Sequence, residues 1–203
     1  MRELEELCRR FGGHEPGLMG ARHRYAVLCP LVEKDDGLHL LFEVRAAGLR
    51  QGGEVCFPGG RAEPGESVID CALRETAEEL SIPSSEVSLL GTPDFICNQR
   101  SFLLHPVLGL VSPAGLESMR PSPAEVAEVF TVPFAFFRAT EPEVYAYDLL
   151  PQGPEEFPYE DLGIARDYPW SRGRVEVPVW RYENHVIWGM TARILRDMLG
   201  QME

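Results

Sequence analysis

The chain has 203 residues, 44% of them hydrophobic and 25% charged, with a formal net charge of −13 at pH 7 and an isoelectric point near 4.9. That length and apolar content suit one globular domain over the whole chain, able to bury a core without disulfide or metal staples, and no apolar run approaches membrane-spanning length. The acidic surface argues against nonspecific nucleic-acid binding, while a small polyanion is admitted where bound cations or placed arginines neutralise it.

In chain order, residues 2–11 carry Leu4, Leu7, Cys8 and Phe11 on one side of a short helix, too charged in pattern for a secretory signal. Gly12, Gly13, Pro16 and Gly17 mark a loop. Residues 24–31 and 37–45 read as the strands of a hairpin. A glycine-containing loop over 46–53 leads to a short strand at 54–57, which runs into Pro58, Gly59 and Gly60. Over 67–80, Val68, Ile69, Ala72, Leu73, Thr76 and Leu80 recur at the helical period, and Pro83 enforces a stop. Strands follow near 86–91, 94–97, 103–111 and 126–133, then a short helix in the segment PFAFFR and a strand at 143–150. A long loop rich in Pro, Gly and acidic groups covers 151–173, and a strand at 175–182 follows it. A C-terminal helix is expected over 184–199, with Ile187, Thr191, Ile194, Leu195 and Met198 inward. Strands interleaved with helices, but with frequent hairpins, predict an α/β protein whose mixed sheet lies between helices.

The five cysteines, Cys8, Cys29, Cys56, Cys71 and Cys97, are odd in number and have no Cys-x-x-Cys spacing. They are expected to be reduced, mostly buried thiols of a cytoplasmic protein rather than a zinc site.

The 67–80 helix presents Glu75, Glu78 and Glu79 on one side, within roughly 100° of arc. Like charges so placed repel, and a cation between them turns repulsion into a binding site suited to Mg²⁺ or Mn²⁺. The bland alternative is a solvated acidic helix face. Glu75 and Glu79 border the apolar face and are expected to be the more buried pair, hence the main ligands. Glu66 and Arg74 are placed to pair and fix the loop onto the helix. The loop at 57–65 brings backbone close to a metal or phosphate because its glycines lack Cβ, and Gly60 can offer its carbonyl.

The constellation Gly60, Glu66, Arg74-Glu75 and Glu78-Glu79 resembles the Nudix box. Ser81 stands where the box usually has Gly at the helix exit, and Thr76 where an aliphatic residue is usual. The resemblance implies a Nudix fold, an α/β/α sandwich with a mixed sheet. It implies Glu75 and Glu79 as metal ligands with Glu78 supporting, Mg²⁺ or Mn²⁺ as cofactor, and a small nucleotide-diphosphate substrate cleaved by water attack on phosphorus. The catalytic set then comprises Glu78, Glu66 and Arg74, and the general base is open among Glu78, Glu63, Glu125 and Glu128.

Upstream, Arg45, Leu49, Arg50, Gly53, Val55 and the run from Phe57 to Gly60 resemble the extra signature of the coenzyme A diphosphatase (pyrophosphatase) subgroup, without its histidine. Residues 123–137 and the C-terminal segment from His185 are similar to further stretches of that subgroup. The implied reaction releases 4′-phosphopantetheine and 3′,5′-ADP. The alternatives are a Nudix hydrolase of another nucleotide (ADP-ribose, NADH or a nucleoside triphosphate) and a non-catalytic ligand-sensing module. Arg45 and Arg50 are expected to meet substrate phosphates, with Arg61 and Arg100 as weaker candidates. Trp188 is expected in the core, and His105 as a core histidine with its hydrogen bonds made. A homodimer is allowed but not required.

Overall fold

A computed structural model of the chain describes residues 2–14, 17–20, 23–98 and 101–202. Strands β1 (His23–Lys34) and β2 (Gly37–Arg45) form the expected hairpin, antiparallel from Lys34↔Gly37 to Leu31↔Leu40. Gly37, at φ 124°, supplies a backbone conformation that L side chains resist. Beyond the Leu31↔Leu40 pair the two strands part. The freed edge of β2 takes β3 (Val55–Cys56) through Glu43↔Cys56 and Val44↔Val55. The freed edge of β1 takes β4 (Gly59–Arg61) through Val27↔Gly59 and Ala26↔Gly60. Between them the Leu28 N–H donates to the Pro58 carbonyl at 2.9 Å, so the chain crosses the fork of the sheet at Pro58.

On its other side β1 runs parallel to β7 (Phe102–Val111), which pairs in turn with β5 (Val87–Gly91) and β6 (Ile96–Asn98), while β8 (Val126–Pro133) lines the outer edge of β2. This is the mixed sheet the sequence predicts. A smaller antiparallel sheet holds β9 (Glu143–Leu149), β10 (Gly173–Tyr182) and β11 (His185–Ile187).

Side chains alternate across the sheet and fill two cores. On one face Leu41, Ala26, Leu28 and Val107 pack against Cys71, Ala72 and Leu80 of helix α2 (Val68–Leu80). On the other, Leu40, Phe42 and Cys29 pack against Ala192, Ile194, Leu195 and Met198 of helix α5 (Gly189–Gly200). Each such fully buried Leu, Ile or Phe contributes about 2 kcal/mol of apolar transfer. The result is the expected α/β/α sandwich. Short helices α3 (Pro113–Ser118), which the sequence reading did not anticipate, and α4 (Phe134–Ala139) complete the layers.

Several expectations need correction. Helix α1 (Arg2–Phe11) forms, but no residue of it is buried, and Leu4, Leu7 and Phe11 stay exposed. The C-terminal helix does not begin at residue 184. Tyr182 pairs with His185 across a two-residue turn, residues 185–187 form β11, and the helix starts at Gly189, whose φ of 67° breaks the strand from it. Ile187 is therefore inward from a strand, and Trp188, at the junction, is 44% exposed rather than in the core. Gly59 to Arg61 are strand, not loop. All five cysteines are free, but only Cys29 and Cys71 are buried, with Cys8 and Cys97 exposed. Among the described residues, no helix is long and apolar enough to cross a membrane.

Candidate metal centre

Helix α2 lies over the fork of the sheet. Its first turn is fixed by Ser67, whose hydroxyl accepts the Asp70 N–H at 3.0 Å, and its last turn by Ser81, left-handed at φ 58° and ψ 29°. Ser81 thus takes the conformation for which Gly is the usual residue, and its hydroxyl donates to the Arg120 carbonyl at 2.9 Å. The departure at Ser81 leaves the exit turn intact. Buried Thr76 turns its hydroxyl onto the Ala72 carbonyl at 2.7 Å, which satisfies it inside the apolar layer.

The pitch of this helix points Glu75 and Glu79 at Gly59 and Gly60. Glu79 is 6% exposed, and its carboxylate accepts the Gly59 N–H at 2.8 Å. The Glu75 carboxylate, 18% exposed, occupies the space a Cβ on Gly60 would need. A Cβ on Gly59, where φ is 153°, would collide with the Ala26 carbonyl and Val27. Both glycines are therefore required by close approach, Gly60 to a carboxylate and Gly59 to a strand backbone. The expectation that Glu75 and Glu79 are the more buried pair holds, since the Glu78 side chain is 58% exposed.

Arg74 ties loop to helix. Its Nε and Nη2 donate to the two oxygens of Glu66 at 2.8 and 3.1 Å, and Nη2 also reaches the Arg61 carbonyl at 3.2 Å. Its Nη1 donates to Glu75 at 2.9 Å and to Glu78 at 3.2 Å. Glu66 accepts in addition the Glu63 N–H at 2.8 Å. The guanidinium, then that backbone N–H, pull the Glu66 carboxyl down to about 2. The Glu66–Arg74 pair expected from the sequence is present.

Burial acts the other way on the inner carboxylates. It pushes Glu79 up to about 8, with repulsion from Glu43 adding to it and the Gly59 N–H opposing it. Glu75 is raised by burial against the pull of Arg74. Glu43, which the sequence reading did not single out, is 1% exposed on β2 and pushed up to about 7 by burial. Its Oε1 accepts the Cys56 thiol at 3.3 Å, and its Oε2 is buried without a hydrogen-bond partner. An acidic residue inside the otherwise buried strand GLHLLFEVR was the available signal, because an unpaired carboxylate there is costly.

The remaining candidates disperse. Half-buried Arg45 donates Nε to the Arg50 carbonyl at 3.4 Å, and Arg50 is exposed. Arg61 meets the His23 ring at 2.8 Å, and Arg100 lies outside the described residues. Glu63 is on the exposed loop. Glu125 is exposed just ahead of β8, and its charge raises Glu43, Glu75 and Glu79. Glu128 pairs in register with Val44, whose side chain packs into the α5-side core, and it hydrogen-bonds His185 at 3.1 Å. That places it on the opposite face of the sheet from Glu79. His105 is not fully satisfied, since its buried Nε2 has no hydrogen-bond partner.

Among the described residues, no three His, Cys, Asp or Glu side chains form a ready-made metal cage. Arg74 holds Glu75 and Glu78 to its own charge. The donors nonetheless fit a hard divalent cation. Glu43, Glu75 and Glu79 are carboxylates drawn from water, the Gly60 backbone abuts one of them, and one buried oxygen is unsatisfied.

The NUDIX domain family matches residues 22–152. The uncharacterized Nudix hydrolase NudL of Photorhabdus laumondii is 36% identical over 180 residues, covering 88% of this chain and 84% of its own. The human mitochondrial coenzyme A diphosphatase NUDT8 is 32% identical, over 95% of this chain and 75% of its own length. In fold, the chain is similar to a MutT/nudix family protein from Enterococcus faecalis, with a TM-score of 0.53 at 16% identity, covering 98% of this chain and 68% of the other.

Proposed function

The chain belongs to the Nudix hydrolase family, and from that premise we propose that it hydrolyses the diphosphate bond of coenzyme A or its derivatives in a Mg²⁺-dependent reaction, releasing 4′-phosphopantetheine and 3′,5′-ADP. The observation that carries the metal-dependent reading is the approach of Glu75 and Glu79, one helical turn apart, onto the glycine backbone at the fork. The coenzyme A reading is supported by the likeness to the human coenzyme A diphosphatase over most of both chains.

In this reading Glu75 and Glu79 are the principal ligands, with the Gly60 carbonyl beside them and Glu78 at the rim. When bound, divalent ions would neutralise the diphosphate and activate a water. Gly59 fixes Glu79 through its N–H, and Arg74 fixes Glu75 through Nη1. Glu66 keeps Arg74 in place from the loop. Arg50, exposed beyond β2, and Arg45 beneath it are proposed to meet substrate phosphates. Glu78, Glu63 and Glu125 stand as the groups to accept the proton of the attacking water; Glu128, on the far face and bound to His185, does not. The five free thiols accord with a reducing compartment.

The test is turnover of coenzyme A, ADP-ribose, NADH, dGTP and Ap4A, each with Mg²⁺ and followed by chromatography. Coenzyme A is expected to be cleaved well above the rest. Preferred cleavage of another member reassigns the substrate, and tight binding without turnover of any contradicts catalysis.

A further inference from the structure

We propose that Glu43 is a further acidic ligand of the metal centre, meeting the ion through Oε2 while the Cys56 thiol holds Oε1; this rests on the metal-dependent reading above. Residues two apart on a strand share a face, so Glu43 faces the α2 side with Leu41, as does its register partner Val129. Glu79 descends from α2 onto that same layer. The register partner of Glu43 on the other edge is Cys56, and from Cys56 the chain runs directly to Gly59, whose N–H holds Glu79. The two carboxylates therefore flank the same few residues of the fork, and they repel each other.

A carboxylate this buried needs partners for both oxygens. Glu43 has one, the Cys56 thiol, and among the described residues it is the only carboxylate with a buried oxygen that no hydrogen bond meets. Its neighbours on the fork offer little else that is positive. Arg45 lowers its charge cost from the strand end, and Glu125 raises it from the opposite loop. Burial and the Glu43 charge hold the Cys56 thiol well above the usual thiol range, so the sulfur is a hydrogen-bond donor here and not a soft metal ligand. What remains for Oε2 is a hard cation shared with Glu79, the chemistry of Mg²⁺ or Mn²⁺. A buried acid with a purely structural role would stabilise the fold instead, and that difference decides the test.

The experiment titrates Mn²⁺ alone into wild type, Glu43→Gln and Glu79→Gln, reads free Mn²⁺ by electron paramagnetic resonance, and records thermal midpoints with and without the ion. Glu43→Gln is expected to weaken Mn²⁺ binding by about tenfold or more. It is also expected to leave the metal-free midpoint unchanged or raised and to shrink the gain that Mn²⁺ gives. Where Gln disturbs packing, Glu43→Asp keeps the charge and withdraws it by one methylene, and weaker Mn²⁺ binding is again expected. Wild-type affinity in the Glu43 variants with loss in Glu79→Gln overturns the Glu43 assignment and leaves the centre standing. Wild-type affinity in Glu79→Gln overturns the metal centre, and Glu43 with it.

Discussion

The backbone N–H of Gly59 donates to the carboxylate of Glu79 at 2.8 Å, joining two residues 20 positions apart. Through this bond the fork of the sheet and the last turn of α2 become one unit, and the most buried acid of the helix is aimed at the glycine backbone. Glu79→Gln keeps an oxygen to accept that N–H but removes a buried charge. We expect kcat to fall on the order of 10²-fold or more, while the metal-free protein melts no lower than wild type. A substrate assay at saturating Mg²⁺ beside a melting curve in chelator reads both.

Gly60→Ala places a methyl where the Glu75 carboxylate now lies. Its backbone is not in the left-handed region, so the fold accepts the change and the side chain of Glu75 must move. A loss of about 10- to 100-fold in metal affinity is expected, with an unaltered circular dichroism spectrum. Calorimetric titration with Mg²⁺ measures it.

Arg74→Met removes the donors of Glu66, Glu75 and Glu78 together. The loop at 62–66 loses its tie to α2, so both the melting midpoint and kcat/KM should drop. Arg74→Lys should restore little, because an ammonium cannot reproduce the bidentate grip on Glu66. Faster amide exchange in the loop than in the core strands reports the lost tie directly.

The pH dependence has a definite sign. Glu43 and Glu79 are held at about 7 and 8, above the ordinary 4.5, so the native metal-free state keeps protons that the unfolded chain releases. Their destabilisation is absent below pH 4.5 and grows as pH rises through 7 and 8. Glu66 acts oppositely: its contribution is present above 4.5 and is lost as pH falls toward 2. Metal-free stability should therefore fall by on the order of 6 kcal/mol between about pH 5 and 9, while Mg²⁺ affinity rises over the upper part of that range as the protons are displaced. Urea melts in chelator, with Mg²⁺ titrations at the same pH values, check both directions.

Ser81→Gly should stabilise the fold by about 0.5–1 kcal/mol, since Gly adopts φ near +60° without the Cβ cost. The Ser81 hydroxyl bond to Arg120, an exposed one, offsets part of that gain. Ser81→Val should lower stability. Equilibrium denaturation of the two variants orders them.

The hairpin, α2 and the Glu66–Arg74 pair were legible because local signals and tertiary packing agree there. Apolar residues recur at the helical period over α2, and the N-cap, the exit turn and the acidic pair follow from spacing. The start of the C-terminal helix is not legible because the apolar residues after Asn184 suit either period. The two-residue turn at Glu183 and Asn184, between alternating strands, was the missed signal. Glu43 was missed because a lone acid in a strand reads as solvent-facing, whereas both faces of β2 are covered. The apolar face of α1 is a genuine helix signal, but none of its residues is buried.

Glu75 and Glu79 are proposed to hold a divalent cation between them. Isothermal titration of Mg²⁺ and Mn²⁺ into wild type and into the Glu75→Gln, Glu79→Gln double variant tests it most directly. Clear association is expected in wild type and is expected to vanish in the double variant, with the fold retained. Equal association in both, or none in wild type, would contradict it.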